Sequence, residues 1–128
     1  MDYATDTHSL VWYFTEDPRL SEAALKAFDE TIKDGIIIVP IVVLAEIMFI
    51  SKKGRITLTF EKTLMKIEEC DNIQIASLDV GILRISDKIG VDMEMHDKLI
   101  VATSLHFGAT LITRDRFIRN SKICPTLW

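Results

Sequence analysis

Short, wholly apolar runs alternate along this chain with longer stretches whose apolar residues recur every three or four positions. The first pattern is that of buried strands and the second that of helices packed on one side. A strand is predicted over Met1–Asp6, leading into an apolar helix at Ser9–Phe14, and Pro18 then breaks the chain. Ser21 is placed to cap a helix running through Lys33, with Ala24, Leu25 and Phe28 on one side and Gly35 as its stop. Ile36–Val39 is continuous and β-branched, as expected of a strand covered on both faces. Pro40 suits the first turn of a helix over Ile41–Ser51, closed by Lys52-Lys53-Gly54. Thr59 caps a further helix to about Glu69, Ile73–Leu78 predicts a strand, and Asp79 caps a helix that ends near Gly90. A helix over Asp97–Phe107 stops at Gly108, a strand follows at Ala109–Thr113, and the tail reads as short and irregular.

Strands and helices therefore alternate at nearly every step, which predicts an α/β domain with a central parallel sheet and helices on both faces. In such sheets a ligand site lies just beyond the carboxyl ends of the strands. The 128 residues suit one domain, 1–128, with no repeat or linker. Hydrophobic residues at 48% and charged residues at 27% are an ordinary globular balance. The most membrane-like run, Ile36–Ile50, is too short to span a bilayer and is interrupted by Pro40 and Glu46. With no basic leader at the start, a cytoplasmic protein is expected. Cys70 and Cys124 fit no metal spacing and read as free thiols.

The chain carries nineteen Asp and Glu, most of them ordinary surface, but four stand in awkward surroundings. Glu46 lies in the helix IVVLAEIMFI, apolar around its circumference, so it is expected to be largely buried. Val42, Val43, Phe49 and Ile50, one turn away, cannot neutralise it, so either it lies on a narrow exposed strip of the helix or a cation is supplied from elsewhere in the fold. Asp6 follows the first strand, Asp97 opens a helix and Asp115 follows the strand ATLIT. Singly, each of these three could be a helix cap or turn residue. Together they share one edge of the predicted sheet, with Glu46 on a helix leaving it. Two carboxylates about 5 Å apart at an effective dielectric of about 20 repel by roughly 3 kcal/mol. Without a counter-charge at least one should hold a proton. Mg²⁺ or Mn²⁺ would relieve the repulsion through oxygen ligands, whereas no His and Cys set invites zinc.

At these residues the sequence resembles the PIN-domain ribonucleases, specifically the VapC type of toxin from prokaryotic toxin–antitoxin pairs. DTHSLVWYF is similar to that family's opening Asp motif. LAEIMFISKKGRI resembles its helix with a central Glu, and MHDKLIVATSLHFGATLITRDR resembles its third and fourth acid motifs. The resemblance covers essentially the whole chain. It implies that Asp6, Glu46, Asp97 and Asp115 form a metal site, with Asp6 and Asp97 foremost as direct ligands, Glu46 and Asp115 direct or acting through water, and Thr113 in hydrogen-bonded support. It further implies hydrolysis of RNA by a metal-activated water, leaving a 3′-hydroxyl and a 5′-phosphate. A homodimer and a small antitoxin partner are implied as well, with exposed apolar surface on the early helices serving both contacts. One departure is Glu94-Met95-His96-Asp97-Lys98, where many relatives have Asp-Pro-x-Asp-Arg. The lost proline bears on the loop geometry, and Glu94 stands where the first acid would be.

Net charge is −4, which on its face disfavours a phosphate backbone as partner. Setting the four site carboxylates aside leaves the remainder neutral. Basic residues gather as Lys52, Lys53 and Arg55 near Glu46, and as Arg114, Arg116, Arg119 and Lys122 near Asp115. These are candidate RNA contacts, though solvated surface explains such clusters too. His8 and His96 adjoin candidate acids, but metal chemistry gives neither a catalytic role. His106 reads as a helix cap. Trp12, Tyr13 and Phe14 read as core or partner surface rather than a base-stacking platform, and the Met and Ile residues of the 41–50 helix as core. The rival reading is a non-catalytic, acid-lined α/β module that binds RNA or protein. A phosphoacceptor enzyme is disfavoured because His8, not a second Asp, stands two residues after Asp6.

Overall fold

The computed structural model describes residues 2–128, and in it five parallel strands form one sheet flanked by seven helices. In chain order the elements are β1 (Tyr3–Thr5), α1 (Thr7–Phe14), α2 (Glu22–Asp34), β2 (Ile37–Pro40), α3 (Ile41–Lys52) and α4 (Phe60–Glu68). There follow β3 (Ile73–Ala76), α5 (Val80–Asp87), α6 (Met95–His106), β4 (Thr110–Ile112), α7 (Arg116–Ser121) and β5 (Thr126–Leu127). Met1, at the start of the first predicted strand, lies outside the described residues.

The helix starts follow the capping residues in the sequence. Ser21, Thr59 and Asp79 each accept a backbone N–H from three residues ahead, satisfying donors that the helix cannot. Every residue of β2 is buried, and successive side chains of a strand point to opposite faces. Both faces of the sheet are therefore covered there. Ala4, Leu111 and Ile112 of β1 and β4 join Ile100, Val101 and Ala102 of α6 and Phe28 of α2 in one apolar core.

Strand order is β3-β2-β1-β4-β5. From β1 the chain builds outward through β2 to β3, then returns to place β4 on the other side of β1. The order reverses between β1 and β4. At such a reversal the crossovers leave in opposite directions and a crevice opens beyond the carboxyl ends. Asp6 directly follows β1, and Thr113 to Asp115 follow β4, so two of the four acids stand at the crevice.

Three expectations are corrected. The tail is not irregular: Asp115 caps α7, and β5 pairs in parallel with β4, Leu111 opposite Thr126. In α3, Val43, Leu44 and Ile47 are buried, but Ile41, Met48 and Phe49 are exposed and Ile50 is half-buried, so its Met and Ile residues are not all core. An apolar sequence reports hydrophobicity, and here part of it faces outward. His106 ends α6 but makes no capping bond; the Phe107 N–H returns to Leu105 and Thr103, and the His106 ring packs edge-on against Phe107. Cys70 and Cys124 are free thiols, and burial pushes Cys124 up to about 11.

Candidate metal centre

A cavity of about 390 Å³ opens at the strand reversal, lined by Asp6, Glu46, Asp97 and Asp115 together with Thr7, His8, Trp12, Arg19, His96 and Arg114. Four side chains from separate parts of the chain thus meet in one place. Each is set there by its own backbone context. Asp6 caps α1, its Oδ1 accepting the Ser9 N–H at 2.9 Å. Asp115 caps α7 in the same way, accepting from Ile118 at 3.1 Å, while its own N–H donates to Thr113 Oγ1 at 3.1 Å. Thr113 is fully buried, so the turn that aims Asp115 rests on a fixed hydroxyl. Asp97 lies in the first turn of α6. Helix N-termini carry partial positive charge, which partly offsets the gathering of carboxylates.

The Glu46 side chain is mostly covered but 27% exposed, because α3 turns that side toward the cavity. It is also not without partners: Thr7 Oγ1 donates to its Oε1 at 2.5 Å, and His96 Nε2 lies 3.4 Å from Oε2. The same nitrogen lies 3.1 Å from Glu94 Oε2 and 3.7 Å from Asp97 Oδ1. No lysine or arginine neutralises the four acids by direct ion pairing among the described residues.

The electrostatic strain falls on Asp97. Burial is the main cause that holds its carboxyl above the usual range, and repulsion from Asp115, Glu46 and Glu94 adds to it. His96 acts in the opposite direction. Hard oxygen donors, one of which resists ionisation through burial and the nearby acids, are the donor chemistry suited to Mg²⁺ or Mn²⁺. Asp6 and Asp115 each spend one oxygen on a cap and Glu46 one on Thr7, leaving an oxygen apiece for the cavity they line.

The basic residues separate into two groups. Arg114 lines the acid cavity and lies over Trp12, its guanidinium carbon 4.8 Å from the ring centroid. Arg116 and Arg119 line an adjoining hollow with Phe117 and Trp128, which Arg114 and Asp115 also border. Lys122 lies beyond them, at the end of α7. Lys52 ends α3 about two turns beyond Glu46, with Lys53 and Arg55 just past the helix, and the three line none of these cavities. Lys53 instead covers the ring of Phe49.

Thr7 and Arg19 border the cavity without a sequence signal of a site role, and His96 carries more contacts than its neighbours in sequence suggest. Arg19 is 5.0 Å from the Trp12 ring and pairs through two hydrogen bonds with Asp17, holding the Asp17 carboxyl down at about 2. Trp12 is buried, as expected of core. Tyr13 and Phe14 are half-buried and line a second, larger cavity of about 880 Å³ between α1, α2 and α4.

The model of the PIN domain family matches residues 3–121. The chain belongs to the PIN domain family. Solved structures of similar fold include VapBC2 from Rickettsia felis bound to a DNA fragment from their promoter, at 17% identity and a TM-score of 0.74, covering 99% of this chain and 98% of that one. DNA-bound VapBC from Salmonella typhimurium aligns at 15% identity and 0.72, covering 99% and 97%. FitAcB from Neisseria gonorrhoeae aligns at 16% and 0.67, covering 98% and 96%. No curated protein matches the sequence significantly. This PIN domain has no helix long and apolar enough to cross a membrane among its described residues.

Proposed function

We propose that this PIN domain is a metal-dependent endoribonuclease, the VapC-type toxin of a toxin–antitoxin pair. The observation that carries the reading is the meeting of Asp6, Glu46, Asp97 and Asp115 in one cavity at the strand reversal. The four carboxylates would hold one or two Mg²⁺ or Mn²⁺ ions, Asp6 and Asp97 most directly. A bound ion supplies positive charge for the phosphate and acidifies water near neutral pH. Thr7 fixes Glu46 and Thr113 fixes the turn of Asp115, so the donors are pre-positioned rather than gathered on binding. Arg114, which makes no ion pair with a carboxylate among the described residues, would meet the RNA backbone at the cavity mouth. Arg116 and Arg119 would extend that contact along α7. Lys52, Lys53 and Arg55 would touch only a longer RNA reaching along α3.

An antitoxin partner is supported by the similarity in fold to the VapBC structures and by the half-buried aromatics around the larger cavity. A homodimer is supported by the exposed apolar residues of α3 and α5: Ile41, Met48, Phe49, Val80 and Leu83. A cytoplasmic location agrees with RNA as substrate. Incubating the purified chain with structured RNA and Mn²⁺, with and without EDTA, tests the activity. Cleavage that EDTA and Asp97→Asn both abolish supports the nuclease. Binding without cleavage, unchanged by that substitution, points to the rival acid-lined binding module. Cleavage retained in the variant would show that the site lies elsewhere.

A further inference from the structure

Resting on the metal-site reading above, the position of His96 narrows which ion that site takes. Its Nε2 has three carboxylate oxygens around it, from Glu94, Glu46 and Asp97, at 3.1, 3.4 and 3.7 Å. One imidazole N–H can serve one of them well; the two longer distances exceed a good hydrogen bond. The spacing has another meaning. Neighbouring ligands of an octahedral ion with bonds of about 2.1 Å stand roughly 3 Å apart. The distances from Nε2 run from that spacing to somewhat beyond it, and Glu94, His96 and Asp97 each bring a ligand atom to within 4.8 Å of the others.

A second feature points the same way. Glu94 occupies the N-cap position of α6, yet its side chain makes no capping bond. A cap carboxylate ordinarily takes up the free N–H groups of its own helix. Here it reaches the imidazole instead, at 3.1 Å. Residues 94, 96 and 97 thus place two carboxylates and one nitrogen at the start of a single helix, and His96 and Asp97 line the cavity with Glu46.

We propose that His96 is a nitrogen ligand of the metal centre, and that it tilts the site away from Mg²⁺ and toward Mn²⁺ and the later first-row divalent ions. Mg²⁺ takes oxygen ligands and keeps its waters, whereas imidazole suits the transition ions. An all-carboxylate site would lack that preference.

Pulsed electron paramagnetic resonance of the full chain loaded with Mn²⁺ reads the nitrogen directly. The expected spectrum carries the modulation of a directly coordinated ¹⁴N, lost in His96→Gln and kept in His8→Gln. Mn²⁺ affinity in His96→Gln should fall on the order of tenfold to a hundredfold, with Mg²⁺ affinity little changed and folding verified by circular dichroism. Bound Mn²⁺ without nitrogen modulation overturns the proposal and leaves the carboxylate site standing. Modulation that survives His96→Gln but disappears in His8→Gln overturns it in favour of the wrong histidine. If Mn²⁺ does not bind at all, and Asp97→Asn changes nothing, both the proposal and the metal-site reading fail.

Discussion

Two hollows share the wall made by α1, and they differ in kind. The larger, of about 880 Å³, is bordered by Tyr13, Phe14, Leu20, Leu25 and Ile32, and its charged residues include both signs, Lys66 among Glu16, Asp17, Asp29 and Glu69. The smaller, of about 390 Å³, draws carboxylates from four parts of the chain. Tyr13 shows how the first behaves: its ring stacks on Phe28 at 4.4 Å, and its hydroxyl donates to Asp29 at 2.9 Å. Asp17, also on that wall, is likewise paired locally, with Arg19. In the second, Asp97 is pushed toward its protonated form by burial and by acids from elsewhere in the fold. Volume marks where another molecule can be accommodated, while unresolved charge marks where chemistry can happen.

The contrast makes ranked predictions. The largest effect is on catalysis: Asp97→Asn should lower RNA cleavage by about a hundredfold or more, on the scale of losing one electrostatic stabiliser. The same variant should melt higher than wild type in EDTA, because it removes the most strained carboxylate. An inactive variant that is also destabilised would break the comparison. Next, Mn²⁺ at about a hundred times its dissociation constant should stabilise the chain by about 2.7 kcal/mol. That is a rise of order 10 °C in Tm, measurable by calorimetry and absent in Asp97→Asn. Tyr13→Phe, in the other hollow, should cost about 1 kcal/mol through its lost hydrogen bond and leave the Mn²⁺-induced rise intact. A changed Mn²⁺ response would show that the hollows are coupled through α1.

The smallest effect is in pH. Because the Asp97 carboxyl is raised in the folded state, the folded chain binds that proton more tightly than the unfolded chain does. Its contribution to stability is therefore most favourable at low pH. It declines as pH climbs from the ordinary carboxylate range through the raised value, and stays at its least favourable level above it. Thermal melts in EDTA should show this slope in wild type, and Asp97→Asn should flatten it. A wild-type slope unchanged by the substitution would mean that other groups carry it.

Much of this was legible in the residues. Capping residues set helix starts at Ser21, Thr59 and Asp79, and the run Ile36–Val39 announced a covered strand. The four acids were legible because their local surroundings were wrong for them. What escaped depended on distance in the chain. Glu46 meets Thr7 from 39 positions away, and nothing near either residue signals the bond. The outward face of α3 escaped because hydropathy reports what a side chain is rather than what it touches. β5 escaped because two residues carry no periodicity to read. The surroundings of His96 are only partly legible, since Glu94 and Asp97 are near it in sequence whereas Glu46 arrives only with the fold.

The double duty of Asp6 and Asp115 has a practical edge. Each fastens the opening turn of a helix with one oxygen while the other borders the cavity, so alanine at either place would remove a fastening and a candidate ligand together. A dead Ala protein could simply be a loosened one. Asparagine keeps one side-chain oxygen to accept from the turn while its NH2 replaces the other oxygen and the charge is lost, which makes it the cleaner instrument for separating architecture from reactivity in this molecule.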